Sequence, residues 1–368
     1  MIIGVLSEQG GSLRNLAASG QAQRFVDQYL ARYARHFERV YYFSYADEAP
    51  PLPDGCMVIG NRRRWHRWLY AFLLPLLHHR RFRECNVLRV MQMTGEVPAI
   101  LAKALYGIPF AATYGYEYAR NAELEGSGRF RAWLFRRRTR MAVRLADLVI
   151  VTNPALRGRI EQRIGATRVA FVPNGVDTSR FSPGPPRDAG NPVHLLAVGR
   201  LSPEKNLSLL LRAAARLPMP VVVRLVGAGV EEKALRQMAL DLGVALELCG
   251  VVAHERLPEL LRSADLFVIT SRREGHPKAL IEAMSCGCVC VGTRVEGIRD
   301  VITDGEDGLL AEPEDGPLAA ALGRALADRP LRDRLRQRAR EKATRDYDID
   351  INLQTEVEAL LRLGSARR

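Results

Sequence analysis

Lysine is scarce in this chain, since its 54 lysine and arginine residues include only five lysines. We attribute this bias to genome composition, so abundant arginine by itself gives no reason to predict a nucleic-acid partner. A secretory signal pattern and an apolar run long enough to span a bilayer are also missing from the sequence. These absences predict a cytoplasmic protein, with peripheral attachment to the inner face of the plasma membrane as an open hypothesis.

Cysteine is sparse as well, with six residues in the chain. Cys286, Cys288 and Cys290 alternate at the start of a predicted buried strand, where alternate side chains point the same way. A metal cluster is conceivable there, but no histidine completes a zinc-binding spacing. Residues 227–229 (GAG) lack the third glycine of a dinucleotide fingerprint. The sequence therefore predicts small buried thiols, no metal site and no bound cofactor.

The net charge of +13 resides in the first half of the chain. Residues 1–180 contain 27 basic and 14 acidic side chains, whereas residues 181–368 contain 27 of each. We therefore expect the first half to meet a polyanionic acceptor or an anionic membrane. The alternative is a basic surface that only faces solvent.

Apolar runs of strand length alternate with segments of helical periodicity in both halves of the chain. This alternation predicts parallel sheets covered by helices, and the chain length favours two domains. Asn174-Gly175-Val176-Asp177, followed by a run rich in proline and glycine up to residue 192, marks the linker between them. The predicted strands lie at residues 1–7, 40–45, 87–93, 111–113, 148–151, 169–173, 193–198, 221–226, 246–251, 264–270 and 289–291.

The most informative stretch begins at the strand 264–270 and continues through a loop into an apolar helix. Glu274 lies on the loop, Pro277 suits the first turn of the helix, and Glu282 falls about a turn and a half into that helix. This geometry places ligands at the carboxyl ends of parallel strands. The loop amides and the helix N-terminus would face an anion, and the two carboxylates could accept hydrogen bonds from sugar hydroxyls.

The string ADLFVITSRREGHPKALIEAMSCGCVCVGTRVEGIRDVITDGEDGLL resembles the donor-binding signature of the retaining GT-B glycosyltransferases of family 4. Glu274 and Glu282 match its E-x(7)-E pair, and GRLSPEKN at residues 199–206 matches a second motif. The resemblance implies an α/β GT-B fold, with two Rossmann-like domains that face each other across a cleft. It predicts an N-terminal acceptor domain at residues 1–178, to which a final helix at 346–368 returns, and a nucleotide-sugar domain at 179–345.

The same resemblance assigns roles to individual residues. Arg200 and Lys205 would bind the diphosphate and stabilise its charge as it leaves, so both are candidate catalytic residues. Glu274 would hold the donor sugar, and Glu282 would bind the ribose. The remaining candidate donor contacts are Gly11 of the first glycine loop, Val251 and Val252 near the base, and Gly275, His276, Pro277, Lys278 and Ala279 of the helix entry.

The acceptor half departs from the family pattern at one position. Family members commonly have a histidine where this chain has Tyr114, which puts any role that depends on that histidine in doubt. Tyr114 or Glu117 could still position the acceptor hydroxyl, although aromatic residues at strand ends also close hydrophobic cores. Gly20 and Arg24, in a segment similar to a helix-starting motif of the family, are further candidates, with an ordinary strand–helix turn as the alternative.

Two basic segments of the first half contain several aromatic residues. Residues 62–83 (RRRWHRWLYAFLLPLLHHRRFR) place a short apolar stretch between basic flanks, and residues 129–145 form a second basic amphipathic helix. Both suit docking to an anionic membrane, where a lipid-linked acceptor could be reached. The alternative for residues 62–83 is a core helix with basic ends.

The function that the resemblance implies is a retaining, metal-independent glycosyltransferase of the hexosyltransferase type. It would move a sugar from a nucleotide-diphosphate sugar, such as a UDP- or GDP-sugar, to a hydroxyl of a glycan or lipid-linked acceptor in cell-envelope polysaccharide, lipopolysaccharide or glycolipid synthesis. A double displacement with Glu274 as nucleophile stays open. The rival interpretations are another enzyme on the same fold, such as a sugar-nucleotide epimerase or phosphorylase, an inactive relative that only binds nucleotide sugars, and a basic protein that binds membranes or polyanions.

Overall fold

A computed structural model describes residues 1–18, 20–115, 129–185, 190 and 192–366. The chain divides into two compact units, Met1–Pro173 with Leu353–Arg368, and Asn174–Asn352. The first unit thus ends before the predicted boundary at residue 178. The reason is that Val176 belongs to the second unit, where its backbone N–H donates to Tyr347 O at 2.8 Å and its carbonyl accepts from Ile349 N at 2.9 Å.

The first unit is built on one parallel sheet of seven strands in the order β3-β2-β1-β4-β5-β6-β7. Every neighbouring pair runs parallel. The chain moves outwards from β1 to β3 and then returns to β4 on the other side of β1. The strands are Ile2–Leu6 (β1), Arg39–Phe43 (β2), Cys56–Ile59 (β3), Val87–Val90 (β4), Phe110–Tyr114 (β5), Leu148–Val151 (β6) and Val169–Phe171 (β7).

Both faces of this sheet are covered, which explains why its strands read as continuous apolar runs. Along β1, Ile3 and Val5 pack into one buried cluster and Leu6 packs into another. The described helices are Leu13–Ala18 (α1), Ala22–Phe25 (α2), a π-helical turn at Val26–Leu30, Ala31–Tyr33 (α3), Arg67–Leu77 (α4), His79–Glu84 (α5), Glu96–Tyr106 (α6), Arg129–Leu145 (α7) and Pro154–Ile164 (α8).

The second unit contains a parallel sheet of six strands in the order β10-β9-β8-β11-β12-β13. Leu266 and Val268 of its central strand point into one core, and Phe267 and Ile269 point into the core on the opposite face. The strands are Val193–Val198 (β8), Val221–Val226 (β9), Ala245–Gly250 (β10), Leu266–Ile269 (β11), Cys290–Thr293 (β12) and Leu309–Ala311 (β13).

Helices pack on both faces of this second sheet as well. The longest of them, Arg329–Asp346, begins with Asp328, whose carboxylate caps the Leu331 N–H at 2.8 Å. The helices of this half of the chain are Leu207–Ala214 (α9), Glu232–Leu242 (α10), Leu257–Ser263 (α11), Lys278–Ser285 (α12), Asp315–Ala327 (α13), Arg329–Asp346 (α14) and Ile349–Ser365 (α15). Helices α9 to α12 connect successive strands, and α13 to α15 follow β13.

The last helix is tied to the first sheet by a buried polar cluster. The carboxylate of Glu356 accepts a hydrogen bond from Arg89 Nε at 2.6 Å and another from the hydroxyl of Tyr33. Arg89 Nη2 also donates to Thr113 Oγ1 at 2.7 Å. Residues 353–366 therefore belong to the first unit. Across the described ranges, no helix combines the length and the apolar character needed to cross a bilayer.

Candidate functional site

The strand order of the second sheet reverses at one point, between β8 and β11. The chain leaves β8 towards β9 and β10 and returns to β11 on the other side of β8, so the connections after β8 and β11 begin at neighbouring strand ends and lead in opposite directions along the sheet. Ligands of open α/β sheets bind in the crevice that forms at such a point, outside the carboxyl ends of the strands. The two candidate motifs, residues 199–206 and 270–278, occupy these two loops.

Hydrogen bonds join the two loops to each other. Thr270 Oγ1 donates to the carbonyl of Lys205 at 2.9 Å, and the backbone N–H of Arg272 donates to Glu204 O at 2.9 Å. Asn206 ends the first loop with a positive φ of 50°, in the left-handed region that asparagine tolerates. The loops therefore form one connected structure rather than two separate turns.

Lys205 and Glu274 form an ion pair where these loops meet. Lys205 Nζ lies 2.6 Å from Glu274 Oε1, and the hydroxyl of Ser271 donates to the same oxygen at 2.6 Å. The side chains of Lys205 and Glu274 are 23% and 12% exposed. The structure thus brings together a cation and a carboxylate that the sequence separates by 69 residues. Ser271 was not among the predicted site residues.

The backbone around Glu274 is held by a third loop. The N–H of Glu274 donates to Glu296 O at 3.1 Å. Next to it, Gly297 has a φ of +86°, and a Cβ atom there would lie 2.2 Å from the carbonyl oxygen of Glu274. Only glycine allows this approach, so Gly297 fixes the position of the loop that carries Glu274.

His276 is a buried, neutral histidine that anchors the entry to helix α12. Its Nδ1 accepts a hydrogen bond from the backbone N–H of Asn174 at 3.2 Å, and Asn174 Nδ2 donates to the His276 carbonyl at 2.7 Å. Its ring packs edge-on against Tyr347 at 5.2 Å. Burial, reinforced by the positive charge of Lys278, lowers the pKa of His276 to about 3. The imidazole is therefore a structural acceptor in the neutral form.

Glu282 is buried inside the second unit and pairs with a histidine. Nε2 of His254 lies 2.9 Å from Glu282 Oε1, and the two side chains are 1% and 3% exposed. The His254 ring also packs against Phe181 with 5.0 Å between ring centroids. The sequence favours a structural role for His254, but 28 residues separate the pair, and no local pattern indicates that the two would meet.

The remaining predicted donor residues lie around the same loops. Arg200 follows β8 and is exposed, and its guanidinium makes no side-chain hydrogen bond with the part of the chain that the structure describes. Val251, just after β10, is 50% exposed, whereas Val252 packs against a core cluster. Residues 275–279 connect the Glu274 loop to α12, with Pro277 directly before the first helical residue, Lys278.

In the first unit, most of the predicted site residues are buried or have structural partners. Gly11 lies in a tight turn after β1, where its N–H donates to Glu8 O at 2.8 Å. Arg24 is 8% exposed and donates to Gln28 at 3.1 Å and Gln21 at 2.9 Å. Tyr114 ends β5 inside a core cluster and is 6% exposed. Glu117 lies outside the described residues.

The three alternating cysteines are buried, as predicted. Cys286, Cys288 and Cys290 are at most 6% exposed, and Cys288 Sγ donates to Leu261 O at 3.2 Å. Burial raises the pKa of Cys286 to about 12, so its thiol stays protonated at neutral pH. No group of three or more histidine, cysteine or acidic side chains is arranged to hold a metal ion within the described ranges.

Comparison with known families places the chain among glycosyltransferases. Residues 181–342 match the family model for glycosyl transferases group 1, and residues 22–180 match the model for glycosyltransferase family 4. The two matches together span residues 22–342 and include both candidate loops. The chain therefore belongs to the group 1 glycosyltransferases of the GT-B fold.

Curated relatives share moderate identity over part of their length. A D-inositol 3-phosphate glycosyltransferase of Geodermatophilus obscurus is 38% identical over 210 residues, which cover 50% of this chain and 47% of that protein. A glycogen synthase of Mycobacterium tuberculosis is 27% identical over 266 residues, which cover 68% of this chain and 62% of that protein. The chain spans about half the length of the first of these relatives.

Solved structures resemble the whole chain in fold. Anabaena Alr3699/HepE, crystallised with UDP and glucose, has a TM-score of 0.75 at 22% identity, covering 98% of this chain and 100% of that chain. A sucrose-phosphate synthase of Thermosynechococcus elongatus has a TM-score of 0.82 at 19% identity and covers both chains completely. The GT-B fold that the sequence predicts is thereby confirmed.

Proposed function

We propose that this chain transfers a glycosyl group from a nucleotide-diphosphate sugar to a hydroxyl acceptor. The observation that carries the proposal is the Lys205–Glu274 pair, held by three loops at the β8/β11 switch point of the second sheet. A fixed cation beside a fixed carboxylate suits a ligand that presents a phosphate next to sugar hydroxyls. Membership of the group 1 glycosyltransferases supports the same reaction class.

The leaving diphosphate is proposed to bind Lys205 and Arg200. The reaction increases the negative charge on the diphosphate as the glycosidic bond breaks, and fixed cations stabilise that charge. Arg200 is exposed at the strand end and offers a planar fork of donors. Lys205 has three donors, of which one contacts Glu274, so others remain for a phosphate oxygen. Each such charge-assisted bond contributes about 1.5–3 kcal/mol.

Glu274 and the start of α12 are proposed to hold the donor sugar. The second oxygen of the Glu274 carboxylate would accept hydrogen bonds from sugar hydroxyls, while Lys205 and Ser271 fix the first. The backbone N–H groups at the N-terminus of α12 would donate hydrogen bonds to an anionic group of the donor. Glu282 is proposed to take the ribose hydroxyls, with His254 holding its other oxygen.

The stereochemical course proposed is retention without a metal ion. The nucleotide diphosphate leaves through an oxocarbenium-like state, and the acceptor hydroxyl attacks the anomeric carbon from the same face. The acceptor proton passes to the departing phosphate, so no separate base is required. Two donors already engage one Glu274 oxygen, which lowers its nucleophilicity, and this favours a binding role over a covalent sugar intermediate.

A UDP-sugar is the donor that we propose first, because Alr3699/HepE was crystallised with UDP and glucose. A GDP-sugar is the alternative, since Val251 and Val252, the proposed base contacts, have apolar side chains that do not select one base. The acceptor is proposed to be a glycan or a lipid-linked sugar of the cell envelope. If the enzyme acts in the synthesis of such an acceptor, we propose that it works on the cytoplasmic side of the membrane.

A second proposal concerns that membrane, and it rests on a surface of the first unit. Helix α4 buries Tyr70, Ala71, Leu74 and Pro75, but several of its large apolar side chains are exposed. Arg138 of α7 stacks on the Trp68 ring at 5.2 Å, so α4 and α7 share one surface. We define the aromatic–basic surface by its exposed members: Arg62, Arg63, Arg64, Trp68, Leu69, Phe72, Leu76, Trp133, Leu134, Arg137, Arg140 and Met141. We propose that it binds an anionic membrane.

Nucleotide release from a panel of UDP-, GDP-, ADP- and dTDP-sugars, with and without crude lipid extract, tests the proposed reaction. We expect release from one donor, its loss in Arg200→Ala, and normal release in Arg216→Ala, an exposed arginine of the same unit. Donor binding without release under any condition would support the inactive relative. Absence of both binding and release would reject the glycosyltransferase proposal.

A further inference from the structure

The second unit contains a cavity of about 560 Å³ at the amino edge of its sheet. Ala264, two residues before β11, and Cys288, two residues before β12, both line it. The loops of the candidate donor site instead follow the carboxyl ends of β8 and β11. The cavity is therefore a separate feature of the same unit, and its volume is in the range of small-molecule sites.

Arginine side chains dominate the charge of this cavity. Four of its five arginines follow one another on α14 at intervals of three or four residues, so they share one face of that helix. The charged residues of the lining are Arg262, Arg329, Arg332, Arg336 and Arg340, with Asp333 and Glu341 as the carboxylates. An excess of three positive charges around one cavity attracts anions.

Two of these arginines have a structural role. Arg340 Nη1 donates to Phe181 O and to Ser285 O, both at 2.8 Å, and so holds the last carbonyl of α12. Arg262 Nη1 donates to Ser182 O at 3.2 Å. These bonds fix the walls of the cavity, and the argument for a ligand rests on the other three arginines.

Those three arginines are incompletely compensated by the protein. Arg329 and Arg336 share the carboxylate of Asp333, from which they lie 3.9 and 3.6 Å away, beyond hydrogen-bond distance. Arg332 is only 6% exposed and donates from Nη1 to Leu326 O, but its Nε is buried and has no partner in the described ranges. A buried donor without a partner is costly, and an anion in the cavity would stabilise the charge of this side chain.

The remaining walls of the cavity are apolar or neutral. Pro183, Pro185 and Leu261 contribute apolar surface. Burial raises the pKa of the Cys288 thiol, although the positive charge of Arg336 acts in the opposite direction, so the thiol does not neutralise the arginines. A site with apolar walls and one cationic face suits an organic anion better than a fully hydrated inorganic ion.

We propose that this cavity binds a small phosphorylated metabolite. Arg329, Arg332 and Arg336 hold its phosphate, and its carbon skeleton lies against the apolar walls. Guanidinium groups match the geometry of phosphate oxygens through paired N–H donors. A phosphate monoester carries a charge of about −2 at neutral pH, which the excess positive charge of the lining accommodates.

Two helices connect the cavity with the candidate donor site. Helix α12 begins at Lys278, after the loop of Glu274, and Cys286 at its end lines the cavity. The cavity face of α14 is followed by Tyr347, whose ring packs against His276 at 5.2 Å. A shift of either helix on ligand binding would therefore reach the donor loop, so the cavity is a regulatory site. This consequence rests on the proposed donor site, whereas binding of the metabolite does not.

Three variants test the cavity. Arg329→Gln/Arg336→Gln removes two charges at side chains that are 67% and 22% exposed, and Arg334→Gln/Arg345→Gln removes two charges from exposed positions of the same helix as the matched control. Asp333→Asn, at a side chain 61% exposed, removes a carboxylate and should strengthen binding. A gain of affinity cannot arise from misfolding.

Calorimetry of the full chain, with saturating UDP to occupy the donor site, measures binding of fructose 1,6-bisphosphate as the probe. We expect one bound equivalent, at least about 10-fold weaker binding in Arg329→Gln/Arg336→Gln, and binding within about twofold of the wild type in the control. Asp333→Asn should bind about 2- to 5-fold more tightly. D-fructose and inorganic phosphate should each bind at least about 10-fold more weakly than the bisphosphate.

No binding of the bisphosphate by the wild type, or equal losses in the two double variants, would overturn the site. Equal affinity for D-fructose would overturn the role of the arginines, and equal affinity for inorganic phosphate would overturn the role of the apolar walls.

Regulation is tested by UDP affinity with and without the bisphosphate. We expect a change of at least about threefold in the wild type and none in Arg329→Gln/Arg336→Gln. No change in the wild type would overturn the regulatory role, and so would a change of equal size in the variant, because the bisphosphate would then compete at the donor site. Failure of the wild type to bind UDP would reject the proposed donor site, and bisphosphate titrations without UDP would still decide the cavity.

Discussion

Arg89 and Glu356 lie 267 residues apart in the sequence, yet their side chains form a buried ion pair with 2.6 Å between Arg89 Nε and Glu356 Oε1. Both side chains are at most 4% exposed. Tyr33 and Thr113 complete the hydrogen bonding around them. Such a pair adds little stability compared with apolar residues, but removal of one partner leaves a charge buried without compensation.

Glu356→Ala should therefore destabilise the first unit by about 3–5 kcal/mol, because Arg89 and the hydroxyl of Tyr33 both lose their partner. Urea unfolding followed by tryptophan fluorescence measures this free energy. Glu358→Ala, on the same helix but half exposed and 3.7 Å from Arg362, is the control and should change stability by less than about 1 kcal/mol. Equal effects of the two variants would contradict the prediction.

The sequence was sufficient to predict what depends on local pattern. Alternating apolar runs predicted the parallel sheets, and motif spacing predicted the loops that carry Lys205 and Glu274. It could not predict which side chains of helix α4 face the core, because Tyr70 is buried and Trp68 exposed on a helix that is apolar on most sides. The short edge strand Cys56–Ile59 was also missed, since four residues provide too little periodicity.

Long-range polar pairs could not be predicted either. The His254–Glu282 and Glu96–Arg138 pairs depend on how helices and loops pack in three dimensions, and no sequence spacing encodes that packing. The partners of Arg24 are local by contrast, since Gln21 and Gln28 lie three residues before it and four residues after it, but the motif resemblance directed attention to a ligand contact instead. Sequence patterns place a residue on an element, whereas its partner is set by the fold.

His276 should make the second unit less stable in acid. Its pKa of about 3 lies below the usual 6.5, so the unfolded chain takes up the proton first as the pH falls. The stabilisation is complete above pH 6.5 and is lost as the pH falls towards 3. Between pH 7.5 and 5.0, this single group should reduce the unfolding free energy by about 2 kcal/mol, which urea titrations at both pH values can measure.

His276→Asn should flatten that dependence, because its amide oxygen can accept the Asn174 N–H in place of Nδ1 and has no proton to gain. His36→Asn, which replaces an exposed histidine of the first unit, provides the control and should leave the slope of the wild type unchanged. An unchanged slope in His276→Asn would show that another group is responsible for the acid sensitivity.

Breaking the His254–Glu282 pair should lower both the unfolding free energy and the affinity for the nucleotide. His254→Leu removes the hydrogen bond between His254 Nε2 and Glu282 Oε1. We expect this loss to lower the unfolding free energy by about 1–3 kcal/mol. His254→Gln can supply an amide donor and should recover part of that loss. If Glu282 takes the ribose, UDP affinity measured by calorimetry should follow the same order, wild type above Gln above Leu. Identical UDP affinities of the wild type and both variants would show that the His254–Glu282 pair plays no part in nucleotide binding.

Lys205→Met should weaken UDP binding about 10- to 150-fold, because the loss of one charge-assisted phosphate contact costs about 1.5–3 kcal/mol. The apolar stem of methionine preserves most of the packing of the lysine chain. Lys233→Met, at an exposed position of α10, is the matched control and should bind UDP as the wild type does. If Lys205→Met bound UDP as tightly as the wild type, and salt did not change its affinity, Lys205 would not bind the diphosphate.

The aromatic–basic surface should bind vesicles through aromatic insertion as well as through charge. Trp68→Ser/Phe72→Ser removes two rings that are 42% and 53% exposed, so the variant should fold normally while its partitioning to phosphatidylglycerol vesicles falls at least about 10-fold. Leu240→Ser, which removes a side chain 72% exposed in the second unit, is the control and should float with vesicles like the wild type.

Binding should decrease as salt rises, because screening weakens the arginine attraction to the anionic surface. Flotation with phosphatidylcholine alone would show that charge is not required, and no flotation with either lipid would reject the membrane proposal.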